Sequence, residues 1–156
     1  MERILVVTVN WLGDALMTTP VFRAIKAQIP SAYLGVMAPR RVEGVFQNNP
    51  YIDEVIIFDE RKEHRTLADK IRFSKFLKQK KFDTAFFIHR SLTKALICYL
   101  AGIKTRIGYR RLKNFLILTE MIPAKAYQTH RQDYYLSLFE AKGINISKKI
   151  PDFFIP

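Results

Sequence analysis

Val9-Asn10-Trp11-Leu12-Gly13-Asp14-Ala15-Leu16-Met17-Thr18-Thr19-Pro20 joins an apolar strand, Ile4 to Val9, to a helical pattern in which Met17, Val21, Ile25 and Ile29 recur every fourth residue. A carboxylate, Asp14, therefore stands where a strand hands over to a helix. Open parallel sheets take their ligands at that edge. Gly13 removes a side chain where a ligand would approach the backbone. A helix N-terminus favours an ionised carboxylate, the form a general base needs. Asp is also a preferred capping residue, so the pattern leaves two roles open for Asp14, cap and base. Pro20 poses a second choice. Either a helix starts there with Thr19 as its cap, or an earlier turn is kinked.

Outward from this stretch, strands and helices alternate. Ile4 to Val9, Tyr33 to Met37, Glu54 to Phe58, Thr84 to His89 and Thr105 to Tyr109 read as strands. Asp14 to Gln28, Arg40 to Gln47, Thr66 to Lys80, Ser91 to Ala101 and Arg131 to Lys142 read as helices, the last ending at Gly143. Crossovers of this length imply an α/β fold with a parallel sheet covered by helices on both faces. The unbroken apolar run Ile4-Leu5-Val6-Val7 suits a strand buried on both sides.

The chain has 156 residues, the size of one domain with a proper core, and a hydrophobic share of 49% that excludes disorder. No apolar run is long enough to cross a bilayer. Met1 to Ile4 leads straight into a strand, unlike a secretory signal. Cys98 is the single cysteine, so neither an intramolecular disulfide nor a cysteine metal cluster can form, and the expectation is a cytoplasmic protein. Glycines at 13, 35, 44, 102, 108 and 143 write no dinucleotide fingerprint and no P-loop. The histidines, His64, His89 and His130, lack metal spacing.

Lys and Arg total 26 against 14 acids, a net charge of +12. Such a surplus points to phosphate- or carboxylate-rich partners. Three sets of cations stand out. Lys70, Arg72, Lys75, Lys78, Lys80 and Lys81 read as a solvated helix face, with Leu67, Ile71 and Leu77 turned to the core. Lys104, Arg106, Arg110, Arg111 and Lys113 surround Gly108 and Tyr109 at the expected ligand edge, where Arg can grip phosphate or carboxylate with paired hydrogen bonds. His89-Arg90-Ser91-Leu92-Thr93-Lys94 follows another strand; Ser91 can cap the next helix while Arg90 and Lys94 face the cleft. Cys98 reads as a small buried hydrophobe.

Taken together, Trp11-Leu12-Gly13-Asp14 with its helix to Pro30, Val36-Met37-Ala38-Pro39, Ser91-Leu92-Thr93-Lys94-Ala95-Leu96 and Leu100-Ala101-Gly102-Ile103 through Arg106-Ile107-Gly108-Tyr109-Arg110 resemble the N-terminal half of glycosyltransferase family 9. The likeness is greatest to the heptosyltransferases that add the second heptose of the lipopolysaccharide inner core. The resemblance implies a Rossmann-like domain of a GT-B enzyme, residues 1–150, receiving a sugar-lipid acceptor. Residues 151–156 would begin the linker to a donor domain that this sequence lacks. By likeness Asp14 is the general base of an inverting transfer from ADP-heptose that needs no metal or other cofactor, the donor being held mainly by the missing domain. Trp11, Gly13, Arg90, Ser91, Lys94, Arg106, Arg110 and Arg111 would hold the acceptor, Kdo-lipid A or heptosyl-Kdo-lipid A, at the anionic inner face of the cytoplasmic membrane. The 156-residue chain alone is expected to be inactive. His89 and Arg90 depart from the small polar residues that relatives often carry before Ser91. Two other classes compete: a basic nucleic-acid-binding module, for which no recognition motif is present, and a non-catalytic interaction module that self-associates through an exposed face.

Overall fold

The computed structural model describes residues 1–110, 116–124 and 130–156. Six strands form one parallel sheet: β1 (Arg3–Val7), β2 (Tyr33–Ala38), β3 (Glu54–Ile57), β4 (Thr84–Phe87), β5 (Thr105–Tyr109) and β6 (Glu120–Ile122), in the spatial order β3-β2-β1-β4-β5-β6. The chain steps outward from β1 to β3, then returns to lay β4 against the other side of β1. Val7 pairs with Met37 on one side and with Phe87 on the other, so the loops leaving β1 and β4 emerge side by side. That reversal creates a crevice at the carboxyl ends of the two central strands. The Rossmann-like expectation holds. The strand the sequence did not reveal is β6, whose three residues are too few to show a period.

Alternation along β1 shows why its apolar run is continuous. Ile4 and Val6 enter the core layer beneath α1 (Leu12–Thr18), α2 (Pro20–Gln28), α3 (Glu43–Phe46) and α6 (Arg131–Glu140). Leu5 and Val7 enter the opposite layer beneath α4 (Leu67–Gln79) and α5 (Leu92–Leu100). Each strand residue is buried on one face or the other. Both α5 and α6 stop at a glycine with positive φ, Gly102 at 76° and Gly143 at 83°, a conformation L side chains adopt only with strain.

The helix expected from Asp14 to Gln28 is divided at Thr19. In an unbroken helix the Leu16 carbonyl would receive a bond from residue 20, but Pro20 has no N–H. Thr19 supplies both its N–H (3.2 Å) and its hydroxyl (2.8 Å) to Leu16 O, while the Thr18 hydroxyl bonds Ala15 O at 2.7 Å. Pro20 then starts α2 afresh. Residues 144–156 run back over α2: Asn145 and Gln28 exchange two 3.0 Å bonds, Asp152 N–H donates to Thr19 Oγ1 at 2.7 Å, and Asp152 pairs with Arg23.

On α4 the buried side is set by Phe73 and Leu77, with Ser74. Leu67 and Ile71 lie on its flank and are solvent-exposed, which corrects the expectation that they face the core. Among the described residues no helix is long and apolar enough to cross a membrane.

Candidate active site

Two helices begin at the crevice between β1 and β4. α1 starts after Asn10 and Trp11; its N-cap is Trp11, which offers no side-chain cap. Asp14 is thus not the cap that one reading allowed. It sits at the third helical position and is buried, 9% exposed. Its carboxylate faces α6, where Arg131 Nη1 donates to Asp14 Oδ1 at 3.1 Å. Tyr135, one turn further along α6, also meets this carboxylate; burial first and the Asp14 charge second push its phenol up to about 12. The hydrogen bond to Asp14 in turn raises the Arg131 guanidinium further above its ordinary value. Gly13, the residue before Asp14, has open space where a Cβ would stand.

From the opposite face, α5 begins with Ser91 as a true cap, its hydroxyl accepting from the Lys94 N–H at 3.2 Å. Lys94 occupies the third position of α5, as Asp14 does in α1. It is 4% exposed, and its ammonium donates to Asn10 Oδ1 at 3.3 Å. Asn10 Nδ2 lies 2.9 Å from His89 Nε2, closing a polar bridge from the β1 loop to the β4 loop. Burial pushes the Lys94 amine down to about 8, partly offset by Glu60 and assisted by Arg41. Arg41 lies 5.2 Å from the exposed Trp11 ring. Arg90 donates to Tyr134 Oη at 2.8 and 3.2 Å, and Tyr134 stacks on Tyr109 with ring centres 4.4 Å apart.

The sheet therefore gathers Trp11, Gly13, Asp14, Arg90, Ser91 and Lys94 at one edge. Arg110 joins them at the end of β5, its N–H bonded to Ile122 O at 2.9 Å. Arg106 does not. It is the second residue of β5, at the amino end of the strand, paired in register with Ala85. Its guanidinium is spent on carbonyls, 2.6 Å from Ile117 O and bonded also to Ile103 O, and stands over the Tyr99 ring. Lys104 precedes β5 and shares that displacement. Arg111 and Lys113 lie outside the described residues. Arg131 and Tyr135, which no sequence pattern singles out, meet Asp14 from far along the chain. Asn10, which bridges Lys94 and His89, is likewise assigned no role by the sequence pattern. The one signal for it is an amide directly before an unsuited cap.

Chemically, the edge pairs a held carboxylate with a buried amine and an exposed Trp and Arg pair. A carboxylate oriented by Arg131 stands where it can accept a proton from a ligand hydroxyl. Cations at this edge can take phosphate or carboxylate groups.

No protein-family model matches the sequence. The chain is 27% identical over 143 residues to lipopolysaccharide heptosyltransferase 2 of Escherichia coli strain K12, covering 91% of this chain and 41% of that protein. A crystal structure of a glycosyltransferase family 9 protein from Veillonella parvula superposes with a TM-score of 0.89 at 20% identity, covering 99% of this chain and 46% of that one. ADP-heptose lipopolysaccharide heptosyltransferase II of Escherichia coli superposes with a TM-score of 0.77 at 24% identity, covering 100% and 47%. The resemblance to glycosyltransferase family 9 is borne out in sequence and in fold. The chain spans less than half the length of the curated relatives it matches.

Proposed function

We propose that this chain supplies the acceptor-binding side of an inverting heptosyltransferase, with Asp14 as the general base. The observation that carries the reading is Asp14 itself: a buried carboxylate fixed by Arg131 at the crevice where β1 and β4 part, beside open space at Gly13. In this reading the acceptor hydroxyl gives its proton to Asp14. The freed oxygen pair bonds the anomeric carbon of ADP-heptose from the face opposite the nucleotide, the carbon–oxygen bond to ADP breaks, and ADP leaves with that electron pair. Lys94 and Arg90, with Arg110 beyond them, hold the phosphates and carboxylates of a Kdo-lipid acceptor. Trp11 offers a flat apolar surface to a sugar ring. Arg106 is no part of the binding set. The donor is bound chiefly by a second domain, residues 151–156 lead towards it, and no metal enters the scheme. A lipid acceptor also brings the protein to the anionic inner face of the cytoplasmic membrane.

The test is transfer of heptose from ADP-heptose to a Kdo-lipid acceptor, with the chain joined to a donor-binding domain. Asp14→Asn is expected to lower turnover about 100- to 10,000-fold, the usual worth of a general base, with acceptor affinity nearly unchanged. Lys94→Ala and Arg90→Ala are expected to raise the acceptor KM, most at low salt. Equal turnover in Asp14→Asn and parent removes the base role. Steady transfer by the 156-residue chain alone removes the division of labour.

A further inference from the structure

Apart from Thr93 and Lys94 in its first turn, α5 carries only apolar side chains, Leu92-Thr93-Lys94-Ala95-Leu96-Ile97-Cys98-Tyr99-Leu100. Such a helix is ordinarily covered on all sides. Here Ala95, Ile97 and Cys98 face the sheet, whereas Leu92, Leu96, Tyr99 and Leu100 turn outward, each between 43% and 53% exposed. α4 packs beside α5. One flank of α4, through Asp69, Arg72, Phe73 and Phe76, borders a cavity along β3. The other flank, towards α5, presents Leu67, 74% exposed, and Ile71. Lys75 and Lys78 follow Ile71 by four and seven residues, so they extend the same flank and are exposed. From Lys70 to Lys81 there is no acid, and Asp69 is occupied by Thr66 and Arg72.

We propose that this α4–α5 face docks the protein on a bilayer carrying anionic lipid. The Leu, Ile and Tyr side chains enter the interfacial zone while Lys75 and Lys78 meet the lipid phosphates. Apolar side chains backed by lysines are the composition of an interfacial anchor, and the two contributions are of different kinds, burial and charge. A second copy is a poorer occupant, since its own lysines would meet these. Residues 144–156 lie over α2 on the opposite side of the sheet and leave the face uncovered. Leu92 adjoins the Ser91 cap, so docking would bring the crevice mouth close to the lipid surface. The inference deepens the membrane element of the proposed function but stands on a surface separate from Asp14.

The experiment is co-sedimentation of the 156-residue protein with vesicles free of sugar lipid, so that it reads the face and not the site. Equal parts of phosphatidylcholine and phosphatidylglycerol are expected to bind the protein at least about tenfold more tightly than phosphatidylcholine alone, an advantage lost in high salt. Leu96→Glu, at an exposed position, is expected to weaken binding about tenfold or more. Lys75→Gln with Lys78→Gln is expected to weaken it about twenty-fivefold, roughly fivefold for each charge. Lys148→Gln, on the opposite side, should bind like the parent. Absence of binding to the mixed vesicles overturns the proposal. So does parent-like binding by both face variants, and so does a concentration-dependent dimer in sedimentation velocity that Leu96→Glu abolishes, which would give the face to a second copy.

Discussion

α1 and α5 enter the same crevice from opposite faces of the sheet, and each breaks one local rule while obeying the other. α5 has the right cap, Ser91, and the wrong charge: Lys94 is a cation in the first turn, where the helix dipole disfavours it, and it is buried. α1 has the right charge, Asp14 in its first turn, and the wrong cap: Trp11 leaves the orphan N–H groups without a side-chain acceptor. Neither fault helps the helix that carries it. Both faults face the opening. Local rules broken on two independent elements at one place mark a site kept for something other than stability.

Lys94 gives the comparison its strongest test. Its amine is held at about 8, against an ordinary value of 10.5. Below pH 8 the group is charged both folded and unfolded, and the penalty of burying that charge is present in full. Between about 8 and 10.5 the folded protein has released the proton and the unfolded chain keeps it, so stability rises with pH; above that window the penalty is gone. Holding the amine at about 8 in place of 10.5 corresponds to on the order of 3 kcal/mol. Lys94→Met is therefore expected to be more stable than the parent at pH 7 by up to about that amount, the gap closing as pH approaches 10.5. Urea unfolding of both proteins across this range measures it, and the difference between them cancels the other titrating groups. A less stable Met variant would make Lys94 a structural residue and dissolve the parallel with Asp14.

Much of this arrangement is legible in the sequence because it is local. The strand-to-helix handover at Asp14, the Ser91 cap and the Gly143 stop are each written within a few neighbouring residues. What escaped is of two kinds. Arg131 reaches Asp14 only because α6 packs beside α1, a contact between distant parts of the chain that no spacing encodes. Arg106 escapes because β5, Thr105–Tyr109, runs from one edge of the sheet to the other: Arg106 stands at its amino end and Arg110 just past its carboxyl end. Leu67 and Ile71 fit the helical period equally well with either side of α4 inward; Phe73 and Leu77 settle which side is buried.

Removal of the Ser91 cap is the next largest effect. Ser91→Ala should cost about 1 kcal/mol, the usual worth of a capping hydroxyl, because the Lys94 N–H loses its acceptor. The same step loosens the turn that aims Lys94, so acceptor affinity should fall with stability, in contrast to Lys94→Met, where the two move in opposite directions. Denaturant midpoints paired with acceptor titration separate the two patterns. If Ser91→Ala leaves affinity untouched, the cap serves the helix alone.

The smallest effect concerns α1. Trp11 stands at an N-cap in extended backbone, φ −107° and ψ 140°, the conformation a capping Ser would use. Trp11→Ser therefore adds the acceptor that α1 lacks and should stabilise the fold by several tenths of a kcal/mol up to about 1. The gain is reduced by losing the Arg41 guanidinium from the face of the indole, a contact worth about 0.5 kcal/mol at an exposed position. Thermal unfolding resolves the sign. A clear stabilisation together with weaker acceptor binding would mean that α1, like α5, carries at its crevice end a residue chosen against its own helix. A loss of stability would instead mean that the indole props the loop from Thr8 to Leu12, and the two helices would cease to be comparable.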